Sequence, residues 1–262
     1  MRLAMLAGSA ATARIRDAMG AGVSEYRFES ISSRRVSQAP RYAIRLASTA
    51  DHRSAAMYLM RERYQWRGYR ADIVRDDPAG VTLVASESGR ISATVTVGFD
   101  SSKGMAVESL YADEVARLRG EGARLCEFTR LAVDRAEHSM ELLGALFHVA
   151  YLCARRLHDA THLLAEVNPR HVRFYLRALG FRIAGPQRTC RRVGAPAVMI
   201  ALPLDHAAGE IAHFGGRRGP AHAKRSLYPF FFSTDEEERI GARLFGADPA
   251  RRRAARPPAI CA

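Results

Sequence analysis

Apolar residues recur along this chain with two periods, and each change of period marks the end of an element. Tyr42-Ala-Ile-Arg-Leu46 alternates as a half-buried strand does, and Asp51 to Tyr64 follows with helical spacing, Ala55, Tyr58, Leu59 and Met60 among its apolar positions. Val81 to Ser86 and Ile91 to Val97 are β-branched runs separated by Glu87-Ser-Gly-Arg90, the pattern of an antiparallel hairpin. Val107 to Gly120 returns to helical spacing, and Arg124 to Val133 reads as a strand. Ser139 can cap the next helix, whose expected buried stripe is Leu143, Leu146, Phe147, Ala150, Tyr151, Ala154 and Leu157.

The most explicit stretch runs from Ala165 to Phe181. His162 to Val167 has strand character, and Asn168 before Pro169 is an N-cap with proline at the first helical position. Val172, Tyr175, Leu176 and Leu179 then form one helical face, and Gly180 supplies the left-handed residue that stops the helix. Ala197 to Leu204 reads as a last strand, and Thr234 to Phe245 as a short helix.

This order of strands and helices predicts an α/β fold, a mixed sheet flanked by helices. Residues 45–205 are the expected domain, 1–44 an N-terminal extension and 206–262 a C-terminal extension, with a disordered Arg- and Pro-rich end from Arg251. No run reaches the roughly 18 apolar residues that span a bilayer. Leu3 to Ala7 meets Arg14, Arg16 and Asp17 too soon for a signal peptide.

Charge narrows the partners without choosing one. Forty Lys+Arg against 27 Asp+Glu leave a net charge of +13, which suits nucleic acid, an anionic membrane or an acidic carrier protein. The chain shows neither a helix-turn-helix nor an RNA-stacking motif, so nucleic acid is not the expected partner. The four cysteines are scattered without CxxC, and His158 and His162 have no companion Glu. No metal is therefore expected, and a reducing cytoplasm is the simpler location.

Asn168, then Tyr175 seven residues on, then Leu179-Gly-Phe181 resembles the acyl-binding half of the GCN5-related N-acetyltransferase (GNAT) fold. That resemblance implies a mostly antiparallel sheet, with Asn168 and the helix after it against a pantetheine arm and Tyr175 returning a proton to the leaving thiolate. A simple core aromatic is the other reading of Tyr175. Ordinary members cradle the coenzyme A pyrophosphate in a glycine-rich loop after the fourth strand, but here the junction is Asp134-Arg-Ala-Glu-His-Ser139. Acyl carrier protein presents the same arm without that pyrophosphate and is acidic.

Asp100-Ser-Ser-Lys-Gly-Met-Ala-Val-Glu-Ser-Leu-Tyr-Ala-Asp-Glu114, Glu127-Phe-Thr-Arg130-Leu-Ala-Val133, Asn168-Pro-Arg-His-Val-Arg-Phe-Tyr175 and Ala195-Pro-Ala-Val-Met199 together resemble the FeeM-type long-chain N-acyl amino acid synthases over about 50 to 205. Glu127 and Arg130 also fit the strand motif of the related acyl-homoserine lactone synthases. In that comparison Ala56 stands where those enzymes carry a further arginine, which speaks against S-adenosylmethionine as acceptor. The resemblance implies transfer of a fatty acyl group from acyl carrier protein to the α-amine of an amino acid, with no cofactor beyond the acyl-phosphopantetheine of the carrier. An ordinary acetyl-coenzyme A N-acetyltransferase is the alternative, and a non-catalytic basic binding module a further one.

An ammonium must lose a proton before it attacks a thioester, and Glu127 is the candidate base. On a regular strand positions 127 and 130 face opposite ways, so a bulge is required for both to line one cleft. Arg130 then orients Glu127 or binds the acceptor carboxylate, a buried structural ion pair being the plainer reading. Backbone amides near Leu131 to Val133 suit the thioester oxygen. Phe147 and Tyr151, with Leu143, are candidate acyl-tunnel residues, and Tyr64 and Trp66 candidate walls of the acceptor pocket, Trp66 equally suiting core packing. Arg170, Arg173 and Arg177 form one stripe that fits either carrier docking or an ordinary solvated face. Phe230-Phe-Phe232 suits closure of the acyl tunnel, a transient membrane contact or a dimer contact.

Overall fold

The computed structural model describes residues 26–28, 42–69, 80–87, 90–134, 140–218 and 226–245. In chain order the elements are β1 (Tyr26–Phe28), β2 (Tyr42–Leu46), α1 (Ala50–Trp66), β3 (Val81–Glu87), β4 (Arg90–Phe99), α2 (Glu108–Gly120) and β5 (Leu125–Val133). There follow α3 (Met140–His158), β6 (His162–Val167), α4 (Pro169–Leu179), β7 (Arg182–Ile183), β8 (Arg188–Cys190), β9 (Ala195–Pro203), α5 (Leu204–Phe214), a 3₁₀ turn (Tyr228–Phe230) and α6 (Thr234–Phe245).

Local chemistry sets the helix ends. Thr49 accepts the His52 amide at the start of α1, and Asn168 accepts the Arg170 amide at the start of α4. Gly180 closes α4 with φ of 76°, a conformation that costs glycine least. The strands lie in the order β1-β2-β3-β4-β5-β6-β9-β7, with β8 also on β9. β5 and β6 run parallel, because α3 crosses between them, and the other neighbours are antiparallel. This is a GNAT-like fold.

Helices cover both faces of the sheet. The main core lies on one side, where Leu83, Val95, Val97, Cys126, Leu163 and Ile200 meet α3, α4 and α5. On the other side α2 packs through Tyr111, Val115 and Leu118 on Leu125, Leu164 and Met199, and α1 packs through Leu59 and Met60 on Ala132. Each such side chain contributes about 1.5–3 kcal/mol when fully buried.

Three expectations change. The predicted stripe on α3 is too narrow: Leu142, Gly144, His148, Val149, Leu152 and Cys153 are buried as well, while Leu143, Tyr151 and Leu157 are half-buried. The reason is a second cover, since Leu227, Tyr228, Phe231, Phe232 and Ile240 join the main core. The described part of the expected C-terminal extension is thus built into the core. The Phe232 amide donates to His148 Nδ1 at 2.9 Å, and the His148 ring stacks on Phe231 and Phe232. Phe231 and Phe232 are therefore buried within this chain, while Phe230 is half-buried. Likewise β1 falls in the expected N-terminal extension and adds an edge strand. The hairpin turn at 88–89, the Ser139 cap and the end from Arg251 lie outside the described residues.

Candidate active site

The parallel pairing of β5 with β6 stops early. Its register runs from Leu125↔His162 to Phe128↔Ala165, whereas β5 continues to Val133 and β6 to Val167. Beyond Phe128 the β5 strand pairs with β4 and no longer with β6, so the two parallel strands open into a wedge along the β5 edge. Backbone amides on such an edge can receive a ligand oxygen.

The wedge has two differently furnished sides because β5 carries a bulge. Arg130 has φ of 54°, and the β4 register slips there, with Thr96 opposite Thr129 but Thr94 opposite Ala132. The extra residue reverses the alternation. Leu131 and Val133 pack with the α3 side and Ala132 with α1, although Glu127 and Leu131 share parity. Arg130 lines a cleft beneath α1 with Arg53, Met57, Met60, Thr82, Thr94 and Thr96. The bulge required for Glu127 and Arg130 to share a face is thus present.

Glu127 is 2% exposed and points toward α2, where its two carboxylate oxygens accept the amides of Ala106 and Val107 at 2.7 and 2.9 Å. Burial pushes its pKa above the ordinary glutamate value, against the opposing pull of those amides and of Arg192. Glu166, near the open end of β6, is raised by burial too, although Arg192 Nη2 reaches both its oxygens at 2.9 and 2.8 Å. Two carboxylates therefore share the field of one guanidinium on this side. Tyr64 completes it: burial lifts its phenol to about 12, while Arg130 and Arg192 pull the other way.

The opposite side is apolar. Phe128, Leu131 and Val133 from β5 pack near Phe147 of α3 and Tyr175 of α4, with ring centroids 5.9 Å apart for Phe128–Phe147 and 6.5 Å for Phe147–Tyr175. Tyr175 is held edge-on by Phe174 and Phe181, and burial raises its pKa well above that of a free phenol, with Tyr64 adding to the rise. It remains a proton donor at any ordinary pH.

Not every expected residue arrives here. Trp66 is 56% exposed with Arg67 over its ring, so it is neither core nor a wall beside Tyr64. Two helical positions turn it about 200° from Tyr64. Tyr151 lies against His148, its phenol raised to about 12 by burial and by Glu237, and so belongs to the seam under α6. Asn168 Nδ2 donates to the Tyr69 hydroxyl at 2.9 Å and to Pro196 O at 3.4 Å, tying α4 to the end of α1. Arg170, Arg173 and Arg177 are all exposed, but Arg170 turns toward Tyr69 and His171.

Glu166, Arg192 and Tyr69 escaped the sequence reading. Glu166 carried a usable signal as the one charge inside the apolar run of β6. Arg192 sits in a turn and Tyr69 beyond the end of α1, where no periodicity marks them.

Among the described residues no group of three or more His, Cys, Asp and Glu could hold a metal, and no helix is long and apolar enough to cross a membrane. The curated proteins compared give no match in sequence. Among solved structures, FeeM, an N-acyl amino acid synthase from uncultured soil microbes, is 28% identical and aligns with a TM-score of 0.57 over 63% of this chain and 92% of its own. An acyl-CoA N-acyltransferase from Pseudomonas aeruginosa is 19% identical, with a TM-score of 0.42 over 61% of this chain and 97% of its own. The AHL synthase LasI is 13% identical, with a TM-score of 0.43 over 62% of this chain and 89% of its own. The family model described as N-acyl amino acid synthase FeeM matches residues 55–203, a span that holds the wedge and both its sides, and the chain is an acyltransferase that belongs to this family.

Proposed function

We propose that the protein moves a long-chain fatty acyl group from the thioester of acyl carrier protein to the α-amine of an amino acid. The observation that carries the reading is the two-sided wedge, with carboxylates toward α2 and an apolar, phenol-bearing wall toward α3 and α4. The acyl-pantetheine arm enters along the apolar wall of Phe147 and Tyr175, and the acceptor occupies the charged side near Tyr64. Its ammonium gives a proton to Glu127, directly or through one water, and the amine attacks the thioester carbon. Amides on the open edge of β5 near Leu131 and Val133 hold the oxyanion as the tetrahedral intermediate forms. The carbon–sulfur bond then breaks, Tyr175 protonates the thiolate, and the second nitrogen proton returns through solvent to the phenolate. One amide, one carrier thiol and one proton result.

Arg173 and Arg177 offer the acidic carrier a cationic docking pair beside the arm's entry, while Arg170 is turned away toward Tyr69. The lack of a glycine-rich turn at 134–139 supports a carrier rather than a nucleotide-bearing donor. Buried thiols at Cys126, Cys153 and Cys190 suit a cytoplasmic setting. The test is acyl transfer from a long-chain acyl carrier protein by folded Glu127→Gln and Tyr175→Phe. A fall in kcat of about 10²-fold or more for Glu127→Gln is expected of a general base. Tyr175→Phe is expected to lose at least about tenfold. Turnover within twofold of wild type would remove the residue concerned from the mechanism.

A further inference from the structure

At the mouth of the wedge the end of α1 meets the start of α4, and two arginines converge on one histidine. Arg67 Nη1 lies 2.9 Å and Arg170 Nε 3.1 Å from the same atom, His171 Nε2. An imidazole nitrogen that accepts N–H bonds is unprotonated, so His171 is neutral and does not add a third charge. The two guanidiniums are nevertheless held close together, and among the described residues neither meets a carboxylate. Arg170 also donates through Nη2 to the Tyr69 hydroxyl at 3.1 Å, which already accepts from Asn168 Nδ2 at 2.9 Å. With both lone pairs of that oxygen engaged, its proton is left to donate. The rim formed by Arg67, Arg170 and Tyr69 thus presents donors and positive charge, the complement of an oxyanion.

We infer that this cluster binds the carboxylate of the acceptor amino acid, and so selects α-amino acids over simple amines. The inference rests on the acyl-transfer reading above. Its position favours a carboxylate over the phosphate of the pantetheine arm. Asn168 follows the last residue of β6, and Tyr69 stands edge-on to Tyr64 at 6.0 Å, so the cluster adjoins the acceptor side of the wedge. An α-carboxylate sits two bonds from the reacting nitrogen, whereas that phosphate is many bonds from the thioester.

The experiment compares kcat/KM for the amino acid that wild type acylates with kcat/KM for its decarboxylated amine, in wild type, Arg67→Gln and Arg170→Gln. The expected result is a wild-type preference for the amino acid that falls at least tenfold in each variant, through a raised KM for the acceptor. A preference within twofold of wild type overturns the inference, as does a raised KM for the acyl carrier protein with the acceptor unaffected. Isothermal titration with inorganic phosphate judges the cluster independently of acyl transfer. Should wild type acylate nothing, the functional reading falls. In that case phosphate binding at least tenfold weaker in both variants retains an oxyanion site, and equal binding removes it.

Discussion

Arg130 shows how much one residue settles here. Its left-handed backbone costs an L-residue about 1 kcal/mol, and in return it turns Leu131 and Val133 to the apolar side while Glu127 stays opposite. Arg130→Gly is expected to be more stable than Arg130→Ala by about 1 kcal/mol, as chemical denaturation would read, because only glycine takes this conformation without strain. Equal stabilities would show that the bulge relaxes instead. Glu127 supplies a pH signature. Burial raises its folded pKa, so the folded state holds its proton more tightly than the unfolded state, and the stability this gives at low pH is lost as pH rises through the folded value. Activity runs the other way, since the base must be ionised. The acid limb of kcat/KM is therefore expected above the ordinary glutamate range and absent in Glu127→Gln. An unchanged limb in the variant would assign it elsewhere. The Glu127 and Arg130 types were legible in the sequence, but the bulge that unites them was only a requirement, because backbone slippage leaves no mark on hydrophobic alternation. Tyr69 and Arg67 lay past the last periodic residue of α1, where a helix pattern has nothing more to say.

At the scale of elements, α3 is the clearest case of a partner that periodicity cannot name. A stripe of seven positions was readable, but the far side of the helix is buried too, under residues some eighty positions later in the chain, as the Phe232 amide on His148 illustrates. A β-carbon on Gly144 would stand 2.7 Å from Phe230 Cβ and 2.9 Å from Phe230 O, too close for either to remain. Gly144→Ala is expected to cost about 1–3 kcal/mol by overpacking, measured as a lowered denaturation midpoint. His148→Leu would leave the Phe232 amide without its acceptor, at a similar cost of about 1–3 kcal/mol. Wild-type midpoints in both variants would mean that the 3₁₀ turn and α6 do not contribute to the folded core. In contrast α4 was legible nearly to the residue. Its N-cap, its proline and its terminal glycine are local signals that need no distant partner.

For the whole molecule, the family span of 55–203 and the folded core are different objects. Leu227, Tyr228, Phe231, Phe232 and Ile240 lie outside that span yet sit in the main core, so the apolar side of the wedge is braced from beyond it. A mixed sheet flanked by helices could be read from alternating periods, since most strands and helices carry their own pattern, but the short strands β1, β7 and β8 and the order of strands in the sheet carry no such mark. What could not be read was the layering of the chain's last third, whose aromatic run looks the same whether it meets solvent, membrane or α3. The net charge of +13 belongs to this scale as well. If the exposed Arg173 and Arg177 meet an acidic carrier, KM for acyl carrier protein should rise steeply between about 50 and 500 mM salt, as screening shortens the Debye length, with kcat little changed. A KM indifferent to salt would deny charge a part in docking.

Donor and product together define the reaction. Purified protein is mixed with a long-chain acyl carrier protein and, separately, with acetyl-coenzyme A, each with all twenty amino acids, and the products are read by mass spectrometry. N-acyl amino acids from the carrier thioester alone are the predicted result. Acetylated products from coenzyme A alone would contradict it.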